Sequence, residues 1–145
     1  MSSRRRVALV VRALVAWCSL STPARADTQD AGPSPLVVAA SCERAIGPGR
    51  VRCDVEARTS SPFALRWVDV QVVETPPFLS PLKGRVGPTD AAVREPELVR
   101  FALGMVARER GAGEIRLRVR AVVCEADACT PASQDVRARV VIGPE

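Results

Sequence analysis

Histidine and tyrosine are absent from this 145-residue chain, and Lys83 is the only lysine. Without histidine there is no imidazole base and no Cys–His or Ser–His nucleophile. The serines and acids are scattered, so nothing supports hydrolase chemistry. Long apolar runs are missing too. The longest, Val7 to Leu20, is interrupted by Arg12 and is too short and too charged to be a permanent membrane span. The chain shows no internal repeat, no low-complexity tract and no long amphipathic helix.

What the N-terminus does have is an address. Arg4, Arg5 and Arg6 precede the apolar run, and Ser21 to Ala26 follows with small residues one and three positions before Asp27. A basic start, a short apolar middle and an Ala-x-Ala end predict a secretory signal peptide over residues 1–26, cleaved near Ala26. Cys18 follows Trp17, where a lipoprotein signal needs a small residue, so no lipid anchor is expected. The whole chain is +5, but five of its 21 basic residues lie in the leader and all 16 acids lie beyond it. Residues 27–145 are therefore neutral, and the basic pI does not indicate a nucleic-acid partner. The expected location is periplasmic or secreted.

Residues 27–35 carry two prolines and a glycine and read as a flexible N-terminal tail. Beyond them, period-two alternation marks strands. Leu36–Cys42 and Val51–Arg58 are the first two, around a turn at Gly47-Pro48-Gly49; Val51, Cys53, Val55 and Ala57 share one face. Phe63–Val73 is the third, with Trp67 expected as a core anchor and Val68, Val70 and Val72 on the opposite side. Thr75 to Asp90 holds four prolines and two glycines and should be largely loop. Leu98–Val106 is assigned to a strand because Gly104 would weaken a helix. Gly111-Ala112-Gly113 should turn the chain into Glu114–Cys124, where five apolar residues from Ile115 to Val123 face away from Arg116, Arg118 and Arg120. Asp135–Ile142 ends the series. About seven short strands over residues 36–145 predict an all-β, two-sheet antiparallel sandwich.

Four cysteines follow the leader, an even number suited to two disulfides in an oxidising compartment. Cys42 and Cys53 sit symmetrically about Gly47-Pro48. A hairpin there opposes Cys42 to Cys53, Ala40 to Val55 and Val38 to Ala57, with both cysteines on the apolar face, so this pair reads as a structural staple. A second hairpin centred between Ala126 and Asp127 opposes Cys124 to Cys129, Ile115 to Ala138 and Leu117 to Val136. Here both cysteines share the polar side with the arginines, so this pair should be the accessible one, as a redox-active disulfide must be. Zinc is disfavoured by the cysteine spacings and by the compartment. No cofactor or metal is expected.

The segment from Arg118 through Cys124-Glu125-Ala126-Asp127-Ala128-Cys129-Thr130-Pro131 resembles the active-site hairpin of the N-terminal periplasmic domain of the thiol:disulfide interchange protein DsbD. That resemblance covers about 15 residues by motif and the remainder only by architecture. It implies an immunoglobulin-like sandwich in which Cys124 and Cys129 pass reducing equivalents to a thioredoxin-like or membrane electron-carrier partner. The chain departs from the family in having Ala121 where an aromatic usually precedes the first cysteine, and Pro131-Ala132 in place of a double proline. Phe78 is the counterpart available for the aromatic that shields the pair. Glu125 and Asp127 flank the cysteines and disfavour a thiolate, which suits a passive disulfide attacked by a partner.

Two readings stand after the sequence alone. One is a DsbD-like exchange domain working on Cys124 and Cys129. The other is an immunoglobulin-like extracytoplasmic binding or structural module in which both disulfides are staples. Neither fixes an oligomeric state.

Overall fold

The computed structural model describes residues 34–144. The expected signal peptide, its cleavage site and all but the end of the expected tail lie outside the described residues. Among the described residues the chain forms nine strands: β1 (Val37–Cys42), β2 (Gly49–Arg58), β3 (Phe63–Glu74), β4 (Leu79–Pro81), β5 (Arg85–Val86), β6 (Ala91–Glu95), β7 (Leu98–Ala107), β8 (Gly111–Glu125) and β9 (Ala128–Ile142). A single turn of 3-10 helix at Pro88–Asp90 is the only helical element among them.

Two antiparallel sheets pack face to face. The first runs β1-β2-β7, with β4 and β6 sharing the other flank of β7 at different heights. The second runs β5-β3-β8-β9. Alternation dictates what lies between them: Val51, Cys53, Val55, Phe101, Leu103 and Met105 from the first sheet meet Val70, Ile115, Leu117, Val119, Val123 and Val140 from the second, all buried. This is the sandwich that period-two patterning predicts.

Both expected registers are present. Cys42 faces Cys53 and Val38 faces Ala57; Ile115 faces Ala138, Leu117 faces Val136 and Cys124 faces Cys129. A shift of one residue would have turned Ile115, Leu117, Val119, Ala121 and Val123 to solvent, so burial enforces the pairing.

The structure departs from expectation at several points. The connection between β1 and β2 is not a tight turn. It crosses to the other sheet, where Ala45 donates its N–H to the Val141 carbonyl at 3.3 Å and accepts from the Gly143 N–H at 2.8 Å. Gly111 and Gly113 lie inside β8, not in a turn before it. A β-carbon at Gly111 would come within 2.7 Å of the Phe78 ring, and one at Gly113 within 2.8 Å of Pro76, so these glycines let the 75–78 loop close over one end of the core. The Thr75–Asp90 stretch, expected to be largely loop, is so apart from the short β4 and β5 and the 3-10 turn. β9 begins at Ala128, seven residues before the expected Asp135, because its exposed half lacks an apolar alternation to mark it.

The largest departure concerns Trp67. Register shifts between Leu65 and Trp67 against β8, leaving Arg66 as an extra residue in a bulge. Leu65 and Val68 then both face the core, and Trp67 is displaced to the outer face, half-buried. It is not the core anchor.

Two further expectations concern the close approach at Gly111. Gly111→Ala should destabilise the protein by about 1–3 kcal/mol through overpacking against Phe78, measured by urea unfolding. The double variant Gly111→Ala/Phe78→Leu, with room for the methyl group, should recover part of that loss.

Candidate functional site

The outer face of the second sheet carries the second disulfide and the side chains around it. The pairings of β3, β8 and β9 arrange its side chains in rows across the strands. Ala64, Cys124 and Cys129 form the row at the hairpin end; Trp67, Val122 and Pro131 form the next; Asp69, Arg120 and Ser133 follow, then Gln71, Arg118 and Asp135.

Cys124 and Cys129 are joined by a disulfide, as are Cys42 and Cys53, with Cα separations of 4.0 and 3.9 Å. Such close approach belongs to directly opposed, non-hydrogen-bonded antiparallel pairs. The pairings are those anticipated, but the contrast in accessibility is not. Cys53 is fully buried and Cys42 half-buried, whereas Cys124 is only 2% exposed and Cys129 is exposed. The second bridge therefore presents one sulfur-bearing residue to solvent, not two. Among the described residues all four cysteines are in disulfides, none is left as a thiolate ligand, and no group of acids and cysteines is placed to hold a metal.

The turn joining β8 to β9 is two residues, Ala126 and Asp127. Ala126 sits at φ 51°, in the left-handed region that favours glycine, and is the sole non-glycine residue of positive φ among the described residues. Phe78 does not reach this tip. It packs on Gly111, at the far end of β8, some 40 Å away at about 3.3 Å per residue. The aromatic ring on the cysteine face is Trp67, brought there by the bulge. Period-two reading missed it because an inserted residue inverts the phase of everything beyond it.

Beside Trp67 lies the strongest electrostatic feature of the face. Asp69 has a side chain only 1% exposed, yet carries a charge. Arg120 donates to it twice, from Nε to Oδ1 at 2.9 Å and from Nη2 to Oδ2 at 2.5 Å. Arg85, from the edge strand β5, donates its Nε to Oδ2 at 2.5 Å. Burial pushes the Asp69 carboxyl up, but the two guanidinium groups and their hydrogen bonds outweigh it and hold the group below its ordinary 3.8. The Arg120 guanidinium also lies 5.8 Å from the centre of the Trp67 ring, within cation–π range. One row further, Arg118 forks onto Asp135 at 2.8 and 3.2 Å, as the opposition of these two residues anticipates, and this pair lowers the Asp135 carboxyl. Trp67, Arg120, Ala121, Val122, Pro131, Ala132 and Ser133 line a shallow depression of about 330 Å³.

The outer face of the first sheet is an ion-pair lattice. Glu56 accepts from Arg58 and from Arg100, at 2.7 Å from Arg100 Nη2, and these bonds lower its carboxyl from 4.5 to about 2. Ala39 and Ser41 leave a hollow of about 400 Å³ beside it.

No protein-family model and no curated protein matches this chain. Among solved structures, it is similar to PapD-like domain 7 of human CEP192, with 9% identity and a TM-score of 0.43 over 96% of this chain and 100% of that one. A structure from the AAF fimbriae of enteroaggregative Escherichia coli gives 9% identity and a TM-score of 0.32 over 73% of this chain and 99% of that one. BslA, a bacterial hydrophobin, gives 10% identity and 0.29 over 75% and 95%.

Replacing Ala126 by glycine should relieve the left-handed strain and stabilise the domain by about 0.5–1 kcal/mol, read from urea midpoints. Asp69→Asn should cost about 2 kcal/mol at neutral pH by removing the charge two arginines converge on. Because the folded carboxyl lies below its unfolded value, that difference should be complete above about pH 4 and shrink as the pH falls below it. Urea unfolding of both proteins across this range checks the sign.

Proposed function

We propose that this chain is an exported, immunoglobulin-like β-sandwich module that binds or holds another macromolecule, and that both of its disulfides are structural. The observation that carries this reading is the position of the two bridges. Each joins directly opposed residues of a hairpin whose register the buried alternation already imposes. Closing loops of this size contributes about 2–3 kcal/mol apiece, a useful addition to a domain of modest core. The surroundings of the second bridge also lack what activates a cysteine. Glu125 and Asp127 flank it, and the nearest arginines of β8, Arg120 and Arg118, are engaged by Asp69 and Asp135. Two disulfides in a small domain suit an oxidising, extracytoplasmic compartment, and among the described residues no helix is long and apolar enough to cross a membrane.

A second reading is favoured by the exposure of Cys129 at the hairpin tip. In the DsbD-like role, a partner's thiolate attacks Cys129 Sγ, the Cys124–Cys129 bond breaks, and the electron pair leaves on Cys124 Sγ. The partner's second thiolate then releases the mixed disulfide, so the pair ends reduced and the partner oxidised.

Titration of the purified protein with glutathione buffers, followed by mass-spectrometric counting of thiols in each pair, separates the two. The structural reading expects both bridges to persist until the domain unfolds. Reduction of Cys124–Cys129 in the folded domain, at a potential well above that of Cys42–Cys53, would overturn it in favour of exchange.

A further inference from the structure

β9 closes one end of the second sheet, and its outer edge is unpaired. The second disulfide fixes which backbone groups that edge presents. Cys124 and Cys129, with their Cα atoms 4.0 Å apart, form a non-hydrogen-bonded pair. The pairing with β8 runs on without a bulge, so even-numbered residues of β9 bond to β8 and odd-numbered ones point their N–H and C=O outward. Val141 obeys this alternation, since its carbonyl accepts the Ala45 N–H. Pro131, also odd-numbered, has no N–H to offer. Between these two ends, Ser133, Asp135, Arg137 and Arg139 present backbone donors and acceptors with no partner among the described residues. The stretch is about 20 Å long at 3.4 Å per residue. Proteins guard such edges with bulges, inward-pointing charges or short strands. Here there is no bulge, and the inward residues Gln134, Val136 and Ala138 carry no charge. The other outermost strands have only two to six residues.

From this geometry we infer that the outer edge of β9 takes up a short extended segment of another protein, which adds a strand to the second sheet between Pro131 and Ala45. This rests on the reading of the chain as a binding module and names the surface that module uses. A second copy of β9 does not fit the stretch. A two-fold pairing centred on Val136 would run the rest of the partner copy's β9 into Ala45, which already lies alongside Ile142. A pairing slid clear of Ala45 would bring Pro131 of each copy into the ladder, where it cannot donate. A free segment of about seven residues at 3.4 Å each meets neither obstacle. Its surroundings define its chemistry. On the inner side, Ala132 and Val136 of β9 and Ala40 of the neighbouring β1 are partly covered margins of the core. Apolar residues at the inward positions of the segment complete their burial. On the outer side, Arg139 makes no ion pair among the described residues, and Arg137 reaches only the exposed Glu114, at 3.4 Å. Acidic residues at the outward positions complement them. The segment therefore alternates apolar and acidic residues, with no proline at the positions that donate to β9.

The test is amide hydrogen exchange of the purified protein with a synthetic, acetylated heptapeptide of alternating glutamate and valine as the probe. Saturating peptide should slow exchange at least tenfold at the Ser133, Asp135, Arg137 and Arg139 amides. Val136 and Ala138, already bonded to β8, should change little. Arg137→Pro removes an outward N–H without touching the bonds to β8 and should weaken binding at least tenfold. A peptide N-methylated on the side that faces β9 should lose binding by the same factor, with the protein unaltered. Lysine in place of glutamate in the peptide should also weaken binding, and Arg137→Glu/Arg139→Glu should reverse that preference. Absence of protection at millimolar peptide would overturn the inference, as would binding that survives both Arg137→Pro and N-methylation. Protection of the same four amides by raising the protein concentration alone would also overturn it and assign the edge to a second copy. These results do not depend on the redox state of Cys124 and Cys129, so failure here is distinguishable from failure of the structural reading of the bridges, which the glutathione titration reports.

Discussion

The pairing of β8 with β9 is the constraint on which the other features depend. It runs without interruption from Gly111 opposite Ile142 to Glu125 opposite Ala128. Five consecutive inward positions, Ile115 to Val123, are buried in the core, and a slip of one residue would expose all of them. Burial of one aliphatic side chain is worth about 1.5–3 kcal/mol, so the sum far exceeds what a two-residue turn or a single disulfide contributes. The register therefore decides where Cys124 meets Cys129, where Arg118 meets Asp135 and which residues line the outer face. Ala126 tolerates a left-handed backbone because the strands on either side leave the turn no other path.

A second device gives the outer face its character. The bulge at Arg66 reverses the phase of β3, sending Trp67 outward and bringing Asp69 beneath Arg120 and Arg85. An isolated buried carboxylate would be strongly destabilising, but two guanidinium groups that remain part-exposed offset its desolvation while keeping their own contact with water. Arg85 comes from a two-residue strand in the proline-rich segment, so the ion cluster also fastens that segment to the sheet. Structure here follows from one inserted residue, and the only tryptophan among the described residues becomes surface instead of core.

What the sequence made legible was whatever a strict period of two could carry. Both cysteine registers, the buried faces of β2 and β8, and the Arg118–Asp135 pair followed from counting alternate residues. Trp67 was misplaced because the bulge leaves no signature that a lone sequence shows. The exposed half of β9 was missed because Thr130, Pro131, Ser133 and Gln134 form an edge with no apolar face to bury. The accessibility of the second bridge was half legible: alternation assigns both cysteines to the outer face, but neighbouring strands cover Cys124 and not Cys129. Asp69 was invisible as a buried charge, since its partners come from Arg85 and Arg120, 16 and 51 residues away.

The central claim is that buried alternation, not the disulfide, sets the β8–β9 register and hence the layout of the outer face. The direct measurement is nuclear Overhauser contact between Hα atoms across the two strands in Cys124→Ser/Cys129→Ser. The account predicts that Hα of Arg118 still meets Hα of Asp135, and Arg120 that of Ser133, in a less stable but unshifted hairpin. Contacts displaced by even one residue, or lost along the whole strand, would contradict it.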